Sequence, residues 1–371
     1  MRLSAGRGSL GAISAVVLSL VIAGCGGGSG SGASPTSAGG GGAGSGSAAS
    51  SPKGIAALKQ AAEKEGQVNW YTTFSQSDVQ PMIDAFHKTY PNIKVNALRL
   101  SADKLPARVI TEQRGGKYNA DVISGDAVYV WQLKTADALQ GYHAQEEVPL
   151  PGGTHLPKGY DNVVYVNTTA PAWNPQALQR LGLQPPKTFK DFSDPKWKGH
   201  FSVDPGAVNW YQSLITEYGH DQALKILQAI GNNSPKLVES HTLAVTQVQA
   251  GEPAATVTAY AYKALSYHKK TPNQVDFVNP SPLPATLTLI EMAKKAPHPS
   301  AGELFLDWIL SKQGQTTVVN VTNHISVRND VDNDPKLWNP SKWSPAWADP
   351  TVSPDTYNSY VREMKQALHA G

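Results

Sequence analysis

VNWYTTFSQSDVQPMIDAFHKTYPNIKVNAL, residues 68–98, changes its apolar period twice and so decides the fold class. Val68 to Thr72 is a short run rich in β-branched and aromatic residues, which favour a pleated surface. Val79, Met82, Ile83 and Phe86 then recur at helical spacing and mark one apolar stripe, which must stop before Pro91. Ile93 to Leu98 returns to strand. Two strands joined by a segment of helix length run parallel, since an antiparallel pair needs only a short turn. The alternation continues with a helix over Leu105 to Gln113 and a third strand over Ala120 to Ser124. The chain therefore reads as α/β.

Farther along, Pro149 to Gly159 is rich in Gly and Pro and fits a crossing between two lobes, ahead of a strand at Val163 to Asn167. A second set of elements follows: a helix at Pro175 to Leu181, a strand at Phe201 to Asp204, helices at Asn209 to Tyr218, Asp221 to Ile230 and Thr242 to Ala250, and a strand at Ala255 to Ala259. Pro280, Pro282 and Pro284 suit a return crossing that delivers Leu287 to Met292 to the first sheet, with a helix stripe of Leu304, Phe305, Trp308 and Ile309 beyond it. The tail after Val331 reads as packed, with a helix only from Glu363. The expected division is a first lobe of residues 53–160 with 283–371 and a second of 161–282, each long enough to bury its own core.

The start of the chain obeys other rules. Arg2 and Arg7 precede an apolar stretch, Leu10 to Ala23, that is too short to span a membrane, and small residues lead up to Cys25, the sole cysteine. The pattern resembles a bacterial lipoprotein signal. That resemblance implies removal of residues 1–24 and acylation of Cys25, where several acyl chains together make a stable anchor. Residues 25–52 are almost wholly Gly, Ser and Ala and carry no charge. Such a tract has too little apolar surface to offset its backbone entropy, so it reads as a flexible tether with a reach of about 30 Å. Loss of Arg2 and Arg7 lowers the formal net charge from +3 by two, to +1, which argues against a nucleic-acid partner. A monomer is expected, held at the membrane only through its lipid.

PKTFKDFSDPKWKG, residues 186–199, resembles a segment of the extracellular solute-binding proteins of ABC importers, in the branch that includes ferric-iron binders. FHKTYPNIKV (86–95), ADVISGD (120–126) and APHPSAGELFLDWILSKQGQ (296–315) match the same family in order and spacing. The resemblance implies a type II periplasmic-binding-protein fold, in which two α/β lobes joined by crossing strands close on a ligand. It also implies a permease and an ATPase as partners, and no catalysis.

In open parallel sheets ligands collect beyond the carboxyl ends of strands, next to helix starts. Four such junctions are legible: Thr72-Thr73-Phe74-Ser75, Ser124-Gly125-Asp126, Asp204 to Trp210 around Asn209, and Ser240-His241-Thr242. Ser, Thr and Asp at these places also serve as plain helix caps, and both roles stay open. Helix starts attract carboxylates, phosphates and phosphonates. The candidate ligand-binding residues are Thr72, Thr73, Ser75, Ser124, Asp126, Asn209, Thr242, Tyr260 and Tyr262, with Cys25 as the lipidation site.

Ferric-iron relatives hold the metal with adjacent tyrosines. This chain has Tyr260-Ala261-Tyr262 instead, and Ser75 and Gln76 where those relatives place a His or Tyr. If the pair continues a strand, the two side chains share one face. Tyr260 and Tyr262 are then metal ligands only if the cargo is ferric iron; otherwise they line the cleft or simply pack. No resident cofactor is expected. Of the ten histidines only His241 stands at a junction, and no metal-binding or hydrolase motif occurs. Two other readings share these residues: an anchored sensor with the same cleft, and a cell-envelope hydrolase working through Asp126 and Asp204.

Overall fold

The computed structural model describes residues 52–102, 104–144, 162–339, 342 and 344–370; Cys25, the Gly/Ser tract ahead of Pro52 and the Pro149–Gly159 passage lie outside them. The elements run α1 (Pro52–Glu65), β1 (Gln67–Thr72), α2 (Gln76–Thr89), β2 (Lys94–Arg99), α3 (Lys104–Arg114), β3 (Val122–Asp126), α4 (Ala127–Thr135), β4 (Leu139–Gln140) and β5 (Val163–Trp173). There follow α5 (Pro175–Leu181), β6 (Phe201–Val203), α6 (Val208–Tyr218), α7 (His220–Asn232), β7 (Lys236–Leu237), α8 (His241–Ala250), β8 (Ala255–Tyr260), α9 (Ala261–Lys270) and β9 (Asp276–Phe277). The chain closes with β10 (Leu283–Ala293), α10 (Pro299–Leu310), α11 (Lys312–Thr322), β11 (Pro345–Trp347) and α12 (Pro354–Ala367).

Strand order is β2-β1-β3-β10-β5-β8-β6-β7, with β4 and β11 on β10 and β9 on β5. β1 lies parallel to both β2 and β3, as the helix-length links require. β6 is likewise parallel to β7 and β8. Between these two parallel groups run β5 and β10, antiparallel to each other. Each has eleven residues, and every residue of β5 is buried. These are the crossing strands, longer than the hydrophobic runs at Val163 to Asn167 and Leu287 to Met292 suggest. Polar residues such as Asn167, Thr168 and Thr169 continue β5 because the sheet carries on past the apolar segment on either side.

Each parallel group covers its own core. On the first, Trp70, Phe74, Phe86, Phe305 and Trp308 interlock. Their ring centroids stand 5.1 Å apart for Trp70–Phe74 and Phe86–Phe305 and 5.2 Å for Phe86–Trp308, all three edge to face. On the second, Phe192, Trp197, Phe201 and Trp210 pack together, and the DPKWKG segment serves to plant Trp197 there. Burying each such side chain stabilises the fold by about 1.5–3 kcal/mol. Local signals start the helices: Asn174 caps α5 by accepting from Ala177 N, with Pro175 at the first helical position and Gly182 in the left-handed region at its end.

The tail departs from expectation. α12 begins nine residues before Glu363, because Ser353 accepts from Thr356 N and Pro354 presets the first turn. Its apolar face, Met364 and Ala367, continues through Leu368 into the core of Phe192 and Trp210, against α6 and α7. Residues 283–371 are thus divided in their packing: β10, α10 and α11 lie with the first core, α12 with the second. The strap between them is tied down where Thr216 Oγ1 donates to Trp347 O and Gln212 Nε2 to Asp349 O.

Candidate binding cleft

Five helices begin at one cavity of about 640 Å³. α2 opens at Ser75, α4 at Asp126, α6 at Ala207, α8 at Ser240 and α9 at Tyr260, and all five N-cap residues line the cavity. The topology causes this convergence, since the chain leaving β1, β3, β6, β7 or β8 turns into a helix at the same edge of the sheet. The first N–H groups of a helix have no intrahelical acceptor and carry partial positive charge. Only Ser240 caps its helix with its own side chain, accepting from Leu243 N at 3.2 Å. Ser75 and Asp126 make no such bond, and Ser75 Oγ pairs with Ser77 Oγ at 2.9 Å instead.

Thr73, Ser75, Asp126, Asn209 and Thr242 come together around the cavity as expected from the strand ends, and Tyr260 and Tyr262 line it beside them. Thr72 and Ser124 do not. Both are wholly buried below it, their hydroxyls 2.7 Å apart, with Trp70 Nε1 donating to Ser124 Oγ and Phe74 N to Thr72 Oγ1. The pleat explains the difference: successive side chains alternate in direction, so Thr73 reaches the cavity and Thr72 the interior. The buried pair pins the edges of β1 and β3 from which the lining turns spring.

Tyr260 and Tyr262 do not share a strand. Tyr260 is the last residue of β8 and Tyr262 lies in the first turn of α9, so the chain turns between them. Their rings nevertheless stack, at 5.8 Å, within a longer column: His241–Tyr260 at 4.0 Å, Tyr262–His324 at 3.8 Å and His324–Tyr165 at 3.8 Å. Stacking covers ring faces and leaves hydroxyl and ring-nitrogen edges as the polar contacts. Burial, and then the neighbouring carboxylate of Asp126, holds the Tyr260 phenol well above its ordinary range. Burial followed by Asp78 and Asp126 does the same for Tyr262. At neutral pH both are O–H groups able to donate.

The charged groups are mixed. Arg99 ends β2 level with Thr72, its Nε 3.4 Å from Phe74 O, and Lys365 enters from α12. Facing them are Asp126, Asp204 and Glu239. Burial pushes the Asp126 carboxyl up to about 6, with His241 and the Thr288 hydroxyl opposing it. Among the described residues no Lys or Arg pairs with Asp126. Asp204 accepts from Gly206 N at 2.8 Å, and its Oδ2 lies 3.8 Å from His241 Nε2, while His241 Nδ1 meets Thr258 O at 2.5 Å. No group of three or more His, Cys, Asp and Glu suited to a metal ion occurs among the described residues.

His324 is wedged between Tyr165 and Tyr262, with Nδ1 2.7 Å from Thr322 Oγ1. Burial, aided by Lys263, lowers its pKa from 6.5 to about 3. The unfolded chain takes up this proton below about 6.5 whereas the folded one resists it, so the stability contributed is full above 6.5 and is lost as pH falls towards 3. His324→Phe keeps a ring in the stack and removes the titration. The loss of unfolding free energy between pH 7 and pH 4.5 should then shrink by about 2 kcal/mol in urea titrations; an undiminished loss would count against a neutral buried imidazole.

Several lining residues escape the strand-end rule. Tyr165, Asn167 and Thr169 alternate along one face of β5, a period-2 polar signal in YVNTT that marks a crossing strand facing a cleft. Tyr357, Val361 and Lys365 repeat every four residues on one face of α12. That stripe is visible in the sequence, but nothing in it says where the tail packs.

With this geometry in place, a family model of bacterial extracellular solute-binding proteins matches residues 81–346. The substrate-binding protein of an ABC transporter from Agrobacterium tumefaciens superposes with a TM-score of 0.70 at 16% identity, over 83% of this chain and 97% of that one. Iron-bound HitA from Pseudomonas aeruginosa gives 0.63 at 18% identity, over 81% and 99%. AfuA from Actinobacillus pleuropneumoniae, with fructose-6-phosphate bound, gives 0.63 at 19%, over 82% and 97%. The hydrolase reading falls away, because the family is one of extracellular solute-binding proteins and the fold is the two-lobe fold of these structures. Two parallel groups, two crossing strands and a cavity ringed by helix starts belong together here because the chain is a member of the bacterial extracellular solute-binding protein family.

Proposed function

We propose that this protein is the lipid-anchored receptor of an ABC importer, tethered through Cys25 and the 25–52 tract, and that its cargo is a small hydroxylated organic anion such as a carboxylate, phosphate or phosphonate. The first lobe would comprise residues 53–160 with the segment from 283 to the strap before α12, and the second 161–282 with α12 packed on it. The convergence of five helix starts on one cavity carries the reading. Their N–H groups, the phenol O–H groups of Tyr260 and Tyr262, and Arg99 and Lys365 all present positive charge or donors, which suits an anion's oxygens. Asp126, Asp204 and Glu239 accept in turn and suit hydroxyls on the remainder of the solute. Contacts from both lobes favour the closed form, and that difference in affinity is the whole mechanism.

Ferric iron is the second reading, favoured by the gathering of Tyr260, Tyr262, Asp126, Asp204 and His241 near one end of the ring column. It requires phenolates where burial and nearby carboxylates oppose ionisation. Thermal unfolding of the purified protein in chelator-treated buffer, against a panel of carboxylates, sugar phosphates and phosphonates and against ferric citrate, separates the two. A cargo at a hundredfold its Kd should stabilise by about 2.7 kcal/mol. Stabilisation by an anion without metal is expected. Stabilisation by ferric iron alone, with a visible phenolate-to-iron band lost in Tyr260→Phe or Tyr262→Phe, would overturn the anion assignment.

A further inference from the structure

The cavity has a wall that belongs to neither crossing strand nor helix start. α12 is anchored on the second core, where Tyr211 Oη donates to Glu363 Oε2 at 2.8 Å and His220 Nε2 lies 2.8 Å from the same oxygen. From that anchorage its stripe of Tyr357, Val361 and Lys365 turns into the cavity. At the near end of the stripe the Tyr357 hydroxyl meets the Tyr129 hydroxyl at 3.2 Å, and the two rings stand edge to face at 6.2 Å. Tyr129 sits on α4, which packs on β3, β10 and α3, on the side of the first parallel group. Both tyrosines line the cavity. The hydrogen bond therefore joins one side of the cleft to the other by side chains alone, away from the crossing strands.

We propose that α12 is a working part of the cleft, with Tyr357 and Tyr129 as positioning residues that clasp the two sides and Lys365 presented to the cavity on the same helix face. The chemistry fits a clasp that opens. A hydroxyl pair carries no net charge, either partner can donate, and one neutral hydrogen bond biases a two-state equilibrium only about 3- to 10-fold. Such a bias holds the cleft together without competing with the contacts a cargo makes to both sides. Because α12 is fixed to α6 and α7, breaking the Tyr pair frees α4 from α12 and leaves the second core intact.

Hydrogen exchange of the full chain without added solute, followed by mass spectrometry, tests this in Tyr129→Phe, Tyr357→Phe and the double variant. Phenylalanine keeps each ring in place, so the fold is retained and only the hydroxyls are lost. Amides of α4 should exchange about 3- to 10-fold faster in Tyr357→Phe, and those of the first turn of α12, ahead of its anchorage at Glu363, about 3- to 10-fold faster in Tyr129→Phe, since either change removes the same bond. The double variant should exchange less than the product of the two single effects, since the bond they share is lost only once. Effects confined to the helix bearing the substitution, effects that multiply in the double variant, or no effect at all would each overturn the clasp. The outcome does not depend on which solute is carried, so it stands or falls apart from the assignment of the cargo.

Discussion

Gln315→Leu is expected to destabilise the protein by about 4 kcal/mol, the largest effect of any single side chain outside the aromatic cores. Gln315 is wholly buried at the start of α11. Its Nε2 donates to Val164 O at 2.9 Å and to Ile309 O at 3.0 Å, and its Oε1 accepts from Ser326 Oγ at 2.8 Å and Val327 N at 3.2 Å. One amide thus satisfies a crossing strand, the end of α10 and the segment after His324. Leucine fills much the same volume and pairs with none of them, so each group left without a partner costs about 1–3 kcal/mol. Relaxation and water entry recover part of that total. Chemical denaturation of the variant measures the loss, and a change below about 1 kcal/mol would show that these groups find other partners.

Gly231→Ala should cost about 3 kcal/mol or more, for a reason of space. A Cβ at Gly231 would stand 1.9 Å from Ala367 O, 2.9 Å from Ala367 C and 3.2 Å from Leu368 Cα. All three are backbone atoms at the end of α12 and cannot rotate away, so the helix must lift from α7. Lifting it withdraws Met364, Ala367 and Leu368 from the second core, with the loss of apolar burial that follows. The cavity wall carrying Tyr357 and Lys365 moves with it. A melting temperature within a degree or two of the parent would mean that α12 does not press on α7 as described.

The fold was legible where period and length coincide. The switch at residues 68–98 placed β1, α2 and β2 within a few residues, because a short β-branched and aromatic run, a helical stripe and Pro91 mark each change of period in the sequence. β5 was legible only in part: a strand buried on both faces has no alternation to reveal its length, and Asn167 to Thr169 read as the end of a run rather than its continuation. At the cleft, the rule of strand ends put five of its seven candidates on the lining and missed with Thr72 and Ser124 by the direction of one pleat, while Tyr260 and Tyr262, raised by the family resemblance, line it too. Arg99 ends a parallel strand and obeys the same rule, yet an arginine there reads as an exposed edge residue. Tyr357 was beyond reach, since its partner Tyr129 lies more than two hundred residues away on α4, and Lys365 shares its helix face. Helical spacing identifies a face and never its counterpart.

The placement of α12 bears on how the molecule is made. The core around Trp197 and Trp210 is assembled from residues 173–257, yet it is completed by Met364, Ala367 and Leu368, which emerge more than a hundred residues later. Until they emerge, that core keeps an open apolar side, and half of the protein has no finished interior to lock. A chain that stops short of α12 would carry an exposed apolar surface in place of that helix, whereas one passed across a membrane before α12 is made would be kept pliable by the same delay.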